Sequence, residues 1–340
     1  MLAALACGGC ALTVDLSYYW QSARGHLELM RLARPVDALI AAPDTDPVLR
    51  QRLERAREIR RFAAESLGLP DNGSYTRYAG LGRPHVVWNV FAAPELSLTL
   101  KTWCFPVAGC VAYRGYFSQG AAEALAADLR AQGWETQVAG VPAYSTLGWF
   151  DDPLLDTFVS LPETELARLI FHELAHQVVY LSGDSSFNES FATAVEEVGL
   201  ERWLAHRGDA ALRDRHRQAD RRRRDFLALL RDTRQRLEAA YAAPGDDAQR
   251  RRDKAAIFEA MRADYQTLRA SWGGFTGYDR WFAQPLGNAH LAAVATYTAL
   301  VPGFRRLLEE QGGDLPRFYE AVRELSRKSP AERSRVLGNG

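Results

Sequence analysis

Three residues in the middle of the chain have the types and the spacing of a metal-dependent hydrolase. His172, Glu173 and His176 form an H-E-x-x-H sequence. On a helix the two histidines stack on one face with their Cβ atoms roughly 5–6 Å apart, so two neutral imidazoles can bind one zinc ion. Glu173 then lies about 100° round the helix, beside the metal. There it can accept a proton from a water that the metal activates.

A catalytic zinc ion also needs a third protein ligand and keeps its fourth position for water. Glu189, which follows His176 after a short gap, is the candidate for this ligand. The intervening residues 183–186, Gly-Asp-Ser-Ser, predict a turn that folds a second helix back towards the first. Glu196 and Glu197, one to two helical turns further on, are the alternatives for the same role.

The element that must position the motif is a predicted helix. Pro162 suits its first turn, and Gly183 lies where a C-terminal cap is expected. Between them, apolar residues recur at helical spacing, namely Leu166, Leu169, Ile170, Leu174, Val178 and Leu181. Histidines on a helix can also be solvated or hydrogen-bonded to neighbours. The apolar stripe and the Asn188-Glu189 pair favour a zinc hydrolase over that alternative.

The motif and its surroundings resemble known metallopeptidases. H-E-L-A-H-Q at 172–177 followed by N-E-S-F-A at 188–192 is similar to the gluzincins, whose aminopeptidase branch carries H-E-L-A-H-Q and N-E-G-F-A. From about Tyr18 to Tyr319 the chain also resembles a bacterial family of predicted zinc aminopeptidases, many of which are described as lipoproteins. This likeness runs through Y-Y-W-Q at 18–21, W-N-V-F-A-A-P-E at 88–95, K-T-W-C-F-P at 101–106, S-T-L-G-W-F-D-D-P at 145–153 and G-G-D-L-P-R-F-Y at 312–319.

The resemblance implies an α+β, predominantly helical, zincin-like fold with a small β region upstream of the zinc helix. It implies that His172, His176 and Glu189 bind one Zn²⁺ per chain and that Glu173 is the general base. Action on the N-termini of peptides is likewise implied by the resemblance and not by any spacing. The gap from His176 to Glu189 is shorter than in thermolysin and the well-known gluzincin aminopeptidases, so Glu196 and Glu197 stay open as alternatives.

Two further groups are candidates for stabilising the reaction. Zinc peptidases need a second electrophile opposite the metal for the tetrahedral oxyanion. Tyr297 and His290, seven residues apart on a predicted helix, are the candidates, and Asn288 is a candidate for positioning substrate. A core position for Tyr297, with its hydroxyl satisfied inside the protein, is the alternative.

Substrate binding is predicted just upstream of the zinc helix. Residues 145–149 are expected to form an edge strand with which an extended peptide pairs by strand addition, and Gly148 allows close backbone approach. Asp151 or Asp152 is the candidate for holding the free α-amino group of the peptide. An aromatic-rich loop packed on the zinc helix is the alternative to the strand.

The amino-acid composition limits the classes of molecule that the protein is expected to bind. The 340 residues carry 42 basic and 42 acidic side chains, so no net charge favours nucleic acid or an anionic membrane. The arginine-rich stretch 213–224 lacks interleaved aromatic residues and predicts a solvated helix, which leaves peptides as the expected partners. Residues 18–330 are predicted as one region, with a β portion at about 75–150, zinc helices at about 162–206 and a helical hairpin at about 210–270.

Several flanking elements are also predicted. Helices are expected at 18–42, broken near Pro35, at 47–67 and at 119–132, and strands at 86–91, 96–100 and 135–139. Cys104 and Cys110 flank a turn and can form a disulfide if the protein is exported; two free thiols or a metal pair are the alternatives.

The N-terminus suggests export. In residues 1–17, small residues before Cys10 resemble the end of a bacterial lipoprotein signal, although a basic n-region and a full apolar stretch are missing. We expect a lipid on Cys10 as the only membrane attachment, and a place in the bacterial cell envelope facing the periplasm. If the segment is instead a frayed apolar end, the protein is cytoplasmic.

Together these features predict a zinc peptidase, with aminopeptidase as the first reading. An envelope endopeptidase or processing protease is the first alternative. A non-catalytic zinc-binding interaction protein is the second. The presence of Glu173, which is not a metal ligand, argues against the second alternative.

Overall fold

The computed structural model of the chain describes residues 16–105 and 109–338. Within these ranges the chain is mostly helical with small sheets, as the predicted α+β class requires. The helices are α1 (Leu16–Leu32), α2 (Val36–Ala41), α3 (Pro47–Leu67), α4 (Gln119–Ala131), α5 (Asp156–Val159), α6 (Glu163–His176), α7 (Ser185–Arg207), α8 (Ala210–Ala242), α9 (Asp247–Ser271), α10 (Asp279–Phe282), α11 (Asn288–Thr298), α12 (Val301–Glu310), α13 (Leu315–Ser326) and α14 (Pro330–Leu337). The strands are β1 (Arg34–Pro35), β2 (Arg77–Ala79), β3 (Val87–Pro94), β4 (Trp103–Phe105), β5 (Gly109–Val111), β6 (Arg114–Tyr116), β7 (Trp134–Val141) and β8 (Leu154–Leu155).

The main β unit lies before the helices that carry the predicted metal site. β3 is its central strand and pairs antiparallel with β6 on one side and with β7 on the other. The pairing of β3 with β7 runs from Val87 opposite Val141 to Pro94 opposite Trp134. β7 is therefore an edge strand of this sheet among the described residues. β2 joins β1 and β8 in a second small sheet, and β4 and β5 form a hairpin.

The core is built around α6 and α7. α7 is buried on most of its circumference, because α6, α11, α12 and α3 all pack against it. Its largest side chains, Phe187, Phe191 and Trp203, are fully buried. On α6 the apolar face that includes Ile170 and Phe171 points into the same core. This packing fixes the two helices against each other, so side chains between them have little freedom to move.

Most predicted helices are present, with boundaries set by the predicted signals. The helix expected at 18–42 is broken into α1 and α2 around Pro35, which cannot donate a backbone hydrogen bond. α3 ends at Gly68 in the left-handed conformation. The predicted hairpin at 210–270 is seen as α8 and α9, which pack against each other and are joined through Pro244 and Gly245. The strands expected at 86–91 and 135–139 correspond to β3 and β7.

Three predicted elements are corrected by the structure. Residues 96–100 are not a strand, because β3 itself continues to Pro94 and the chain then turns away. Residues 145–149 are not a strand either, since Leu147 and Gly148 both have positive φ and form a turn. The helix predicted to carry the zinc ligands, α6, ends at His176 and not near Leu181, so Gly183 lies in the connecting segment instead of capping the helix.

Cys10 and nearly all of the signal-like segment 1–17 lie outside the described residues. In the described ranges, no helix combines the length and the apolar character that crossing a membrane requires. Cys104 and Cys110 are joined by a disulfide across the β4–β5 hairpin, as the first of the three alternatives predicted.

Candidate metal centre

The segment between α6 and α7 directs the second helix back onto the first. The side chain of Asn188 accepts a hydrogen bond from the backbone N–H of Leu181 (2.7 Å) and donates one to its carbonyl oxygen (2.8 Å). Asp184 caps α7 by accepting from the N–H of Phe187 at 3.0 Å. Glu189 follows in the next turn and faces α6. The short gap after His176 is therefore enough to return Glu189 to the histidines.

The three predicted ligands lie together. His172 Nε2 is 3.2 Å from His176 Nε2 and 3.2 Å from Glu189 Oε2, and His176 Nε2 is 3.6 Å from the same oxygen. Ligand atoms of a tetrahedral zinc site, with bonds of about 2.0–2.1 Å, are separated by about 3.3 Å. The observed triangle has these dimensions, and the three residues form a group that could hold a metal ion. The donor set therefore fits zinc.

The histidines keep Glu189 in the form that binds a cation. Burial by itself raises the pKa of a carboxyl group. Charge and hydrogen bonds from His176 and His172 outweigh this effect and lower the pKa of Glu189 to about 2. Glu189 is therefore a carboxylate at neutral pH.

Glu196 occupies a different place from Glu189. Its Oε2 is 2.9 Å from His172 Nδ1, the nitrogen that faces away from the ligand triangle. Its Oε1 lies 3.4 Å from Arg168 and 3.5 Å from Arg223. A carboxylate at this nitrogen fixes the tautomer and orientation of a metal-binding imidazole. Glu197 pairs with Arg223 at 3.5 Å, so the geometry favours Glu189 over both alternatives as the third ligand.

Glu173 lies beside the triangle with a shifted proton affinity. Burial raises its pKa, and the carboxylates of Glu189 and Glu196 add to the rise, while His172 and His176 oppose it. A carboxyl group whose pKa is raised towards neutrality is better suited to exchange protons near pH 7 than an exposed one. This environment is compatible with the general-base role predicted for Glu173.

Tyr297 is next to the triangle, as its predicted role requires. Its ring stacks on that of His172, with centroids 6.3 Å apart and an interplanar angle of 27°. It is half-buried, and no hydrogen bond joins its hydroxyl to another described residue. Burial, with the charges of Glu189 and Glu173, raises its pKa well above the usual value. The hydroxyl is therefore protonated at neutral pH and free to donate.

His290 does not share this position with Tyr297. It is buried one turn into α11, where its Nδ1 accepts a hydrogen bond from the backbone N–H of Gly287 at 3.2 Å, and its ring contacts Trp281. Burial lowers its pKa to about 4, so it is neutral. These contacts make His290 part of the start of α11, away from the donor triangle, and leave Tyr297 as the candidate for the oxyanion.

Asn288 also has a structural place. It is fully buried, and its side-chain amide donates to the carbonyl oxygens of Pro94, Glu95 and Ser97 at 2.8–3.1 Å. Its Oδ1 accepts from the hydroxyl of Tyr241 at 2.9 Å. The side chain holds the turn after β3 and has no polar atom left for a ligand. The prediction that Asn288 positions substrate is corrected accordingly.

Gly148 and the two aspartates lie in the turn region that replaces the predicted strand. A Cβ at Gly148 would lie 3.5 Å from Oε1 of Gln177, the residue that follows His176, so this turn packs against the end of α6. Asp151 is exposed, and its carboxylate lies against Gly73. Asp152 is buried and accepts a hydrogen bond from the backbone N–H of Thr146 at 2.9 Å. Of the two aspartates, Asp152 is the one turned into the protein.

Asp152 and Tyr75 leave two buried polar atoms without partners close to Glu173. Oδ1 of Asp152 and the hydroxyl of Tyr75 have no hydrogen-bond partner among the described residues. The charges of Glu173 and Asp152 contribute to the raised pKa of Tyr75, after burial. Tyr75 also has a φ of 63°, which is rare for a residue with a side chain. Such strained residues cluster at functional sites.

The pKa of Asp152 predicts a pH dependence of stability. Burial raises this pKa from 3.8 to about 7, so between these values the folded chain holds a proton that the unfolded chain has lost. The protonated carboxyl group of Asp152 therefore adds to the free energy of unfolding below about pH 4. This contribution is lost as the pH rises to about 7. In Asp152→Asn, we expect the melting temperature to fall less between pH 4.5 and pH 7.5 than in the wild type. An equal fall in both proteins would contradict this assignment.

The sequence did not reveal Tyr75 or Tyr113 as site residues. Tyr113 follows β5, and burial together with the charges of Glu189 and Glu173 raises its pKa well above the usual value. No hydrogen bond joins its hydroxyl, or that of Tyr297, to another described residue. Tyr113 and Tyr75 come from loops far away in sequence, and no local pattern marks them. The nearest sequence feature that could have drawn attention to Tyr113 was the cysteine pair Cys104 and Cys110 just before it.

Comparison with known proteins adds one match. A family model described as “Putative aminopeptidase” matches residues 17–337, a range that includes both helices of the metal centre. No curated protein and no solved structure matches the chain.

Proposed function

The chain belongs to the family described as “Putative aminopeptidase”, and from this premise we propose that it is a zinc-dependent aminopeptidase. The observation that carries the proposal is the triangle of His172, His176 and Glu189 donor atoms, with Glu173 beside it. Both parts are needed, because the triangle alone would also suit a structural zinc site, whereas Glu173, which is not a ligand, supplies a proton acceptor beside it.

His172, His176 and Glu189 would hold the zinc ion, with Glu196 orienting His172 through its Nδ1. When bound, zinc supplies a Lewis acid that polarises the scissile carbonyl and lowers the pKa of water to about 7. Three protein ligands leave a fourth position open, as in catalytic zinc sites generally.

Glu173 moves the protons of the reaction. It accepts one proton from the water that attacks the peptide carbonyl, and it returns that proton to the leaving amine. Its raised pKa brings the carboxylate closer in basicity to the groups with which it exchanges. The water oxygen forms the new bond to carbon, the C–N bond breaks, and the products are an amino acid and a shortened peptide.

Tyr297 donates a hydrogen bond to the developing oxyanion. Its protonated, unpartnered hydroxyl beside His172 supports this role. We expect Tyr297→Phe to lower kcat by about 10²–10³-fold with little change in KM, as for other oxyanion donors. Steady-state kinetics of this variant beside Tyr113→Phe test the assignment. A large loss in Tyr113→Phe with an unchanged Tyr297→Phe would transfer the role to Tyr113.

The substrate is proposed to lie along β7 with its N-terminus near Asp152. β7 is an edge strand among the described residues, so its free edge can pair with an extended peptide. The chain continues from β7 to Thr146, whose N–H is bonded to Asp152. The free Oδ1 of Asp152 supports binding of an α-ammonium group. Gly148, in the turn against α6, adds no side chain between this turn and Gln177, so a peptide backbone could approach closely.

A substrate panel tests the exopeptidase assignment. Amino-acid anilides and peptides with free N-termini are compared with the same peptides acetylated at the N-terminus. We expect the free set to be hydrolysed and the blocked set to be resistant, because the blocked amide has no charge for Asp152. Equal hydrolysis of both sets would instead identify an endopeptidase, and no hydrolysis of either by zinc-loaded protein would favour a non-catalytic zinc-binding protein.

We also propose that the protein is exported to the cell envelope. The disulfide between Cys104 and Cys110 supports this, since disulfides persist in oxidising compartments and are rare in the cytosol. A lipid on Cys10 is the proposed anchor. Cell fractionation is expected to recover the protein with the envelope in wild type and to release it in Cys10→Ala; recovery of the wild type in the cytoplasm would contradict the proposal.

A further inference from the structure

Exposed apolar side chains are concentrated on one part of the surface. Nine large apolar residues are exposed in the described ranges, and six of them lie on α1 or in the segment between β7 and β8; the six are Tyr19, Trp20, Leu27, Leu32, Trp149 and Phe150. Of the eight tryptophans in the chain, Trp20 and Trp149 are the two that are exposed, at 72% and 73%. Nothing in the proposed peptidase reaction uses these side chains.

The exposed face of α1 points away from the body of the protein. Trp20 and Leu27 are seven residues apart on this helix and therefore point in nearly the same direction. Gly25 and Leu29 are buried on the opposite side, where the ring of Phe117 leaves no room for a Cβ atom on Gly25. The face that carries Trp20 and Leu27 is thus open to solvent.

The segment between β7 and β8 brings two more aromatic side chains to this face. His26 lies about 100° round α1 from Leu27, and the centroid of its ring is 4.5 Å from that of Phe150. Phe150 and the preceding Trp149 therefore flank the exposed face of α1. Together Trp20, Leu27, Trp149 and Phe150 form one apolar surface. Exposed apolar residues that cluster in this way mark interaction sites, whereas singly scattered ones need no explanation.

The charges of the same two segments balance each other. α1 carries Arg24, Glu28 and Arg31, and the segment between β7 and β8 adds the exposed carboxylate of Asp151. None of these four groups has an ion pair among the residues that the structure describes. Two positive and two negative charges leave no net charge, so a charged partner is not favoured over a neutral one. An interaction through this surface must therefore depend on its apolar side chains.

The proposed anchor places a lipid bilayer close to this surface. Cys10 precedes the first residue of α1, Leu16, by six positions. Six residues span at most about 20 Å even when fully extended. A lipid on Cys10 would thus keep the start of α1, with Trp20 in its second turn, within that distance of the bilayer. Such a tether raises the effective concentration of the bilayer at the apolar surface.

We infer that this apolar surface docks onto a lipid bilayer, with Trp20, Trp149 and Phe150 inserted at the boundary between head groups and acyl chains. The inference rests on the proposed envelope location and not on the peptidase reaction. Tryptophan suits this boundary because its ring is apolar while its N–H can bond in the wet head-group region. Contact of this kind alone is weak and reversible, so stable attachment still requires the lipid on Cys10.

Docking would also orient the proposed substrate cleft. The segment that carries Trp149 and Phe150 begins where β7 ends, and its Thr146 N–H donates to Asp152 at 2.9 Å. The end of the cleft at which the N-terminus of a peptide is proposed to bind would therefore lie close to the bilayer.

Sedimentation with phosphatidylcholine vesicles, at lipid concentrations up to the millimolar range, tests the apolar surface. The full chain carries Cys10→Ala in every sample, so that no attached lipid contributes. Trp20→Ser combined with Trp149→Ser is compared with Phe275→Ser, which removes an exposed aromatic ring from the segment between α9 and α10. We expect saturable binding of the parent and of Phe275→Ser, and at least about tenfold weaker binding of the double variant.

Leu27→Ser, with Val48→Ser as its control on α3, replaces the double variant if that protein does not fold. Equal binding of the parent and the folded surface variant overturns the inference, since residues 1–15 or another face would then carry the binding. No binding of the parent overturns it as well, and a dimer that the surface variant abolishes would then identify a second copy of the chain as the partner. None of these results bears on the peptidase assays or on fractionation of the lipid-bearing protein.

Discussion

Glu173→Gln is expected to lower kcat/KM by about 10²–10⁴-fold while the metal stays bound. This range is typical for loss of a general acid–base group. Glutamine has the shape of glutamate but cannot accept and return the proton. Glu173 is not part of the donor triangle, so zinc affinity has no reason to fall. Elemental analysis and steady-state kinetics on the same preparation measure both quantities.

The matched control for this variant is Glu123→Gln, which removes one exposed carboxylate from α4. Both quantities are expected to be unchanged there. If Glu173→Gln kept the wild-type kcat/KM with zinc bound, the proton would have to be moved by another group. The proposed mechanism would then be wrong even though the metal site was right.

The second large effect is expected in metal binding. Glu189→Gln replaces a carboxylate whose oxygen is 3.2 Å from His172 Nε2 by a neutral amide. Loss of a residue that only hydrogen-bonds to a metal ligand typically lowers metal affinity by roughly 10–100-fold. Because Glu189 is itself a proposed ligand, we expect zinc affinity to fall by more than this. Glu196→Gln should fall within that 10–100-fold range, because Glu196 contacts His172 only at Nδ1.

Glu197→Gln completes this series as the control on the same helix, since Glu197 pairs with Arg223 and lies away from the donor triangle. Its zinc affinity is expected to equal that of the wild type. Competition with a chromophoric chelator measures all four proteins. Zinc affinity lost in Glu196→Gln and kept in Glu189→Gln would exchange the two roles and contradict the geometry.

Local spacing was sufficient to predict that His172, His176 and Glu189 lie together, but not the conformation of residues 145–149. Histidines four residues apart must share a face of any helix, so His172 and His176 could be paired from the sequence alone. Glu189 followed from a turn and a second helix. The C-terminal end of α6 was predicted several residues too late, because Val178 and Leu181 keep the apolar spacing after the helix has ended.

Residues that reach the site through tertiary contacts were predicted less well. Asn288 was expected to contact substrate, but its amide holds three carbonyl oxygens of the turn after β3, a partner set that no local pattern encodes. Residues 145–149 were expected to be the edge strand, yet positive φ at Leu147 makes a turn there and leaves β7 as the edge. Tyr75 was missed because its environment is assembled from distant segments.

Zinc titration of the metal-free chain tests the central claim most directly. The purified protein is stripped with a chelator, zinc is added back in steps, and hydrolysis of an amino-acid anilide is measured at each step. The account predicts no activity without metal and a linear recovery that ends at one zinc per chain, since the described residues supply one triangle of donor atoms. Full activity in the stripped protein, or a recovery that is not saturated by one equivalent, would contradict it.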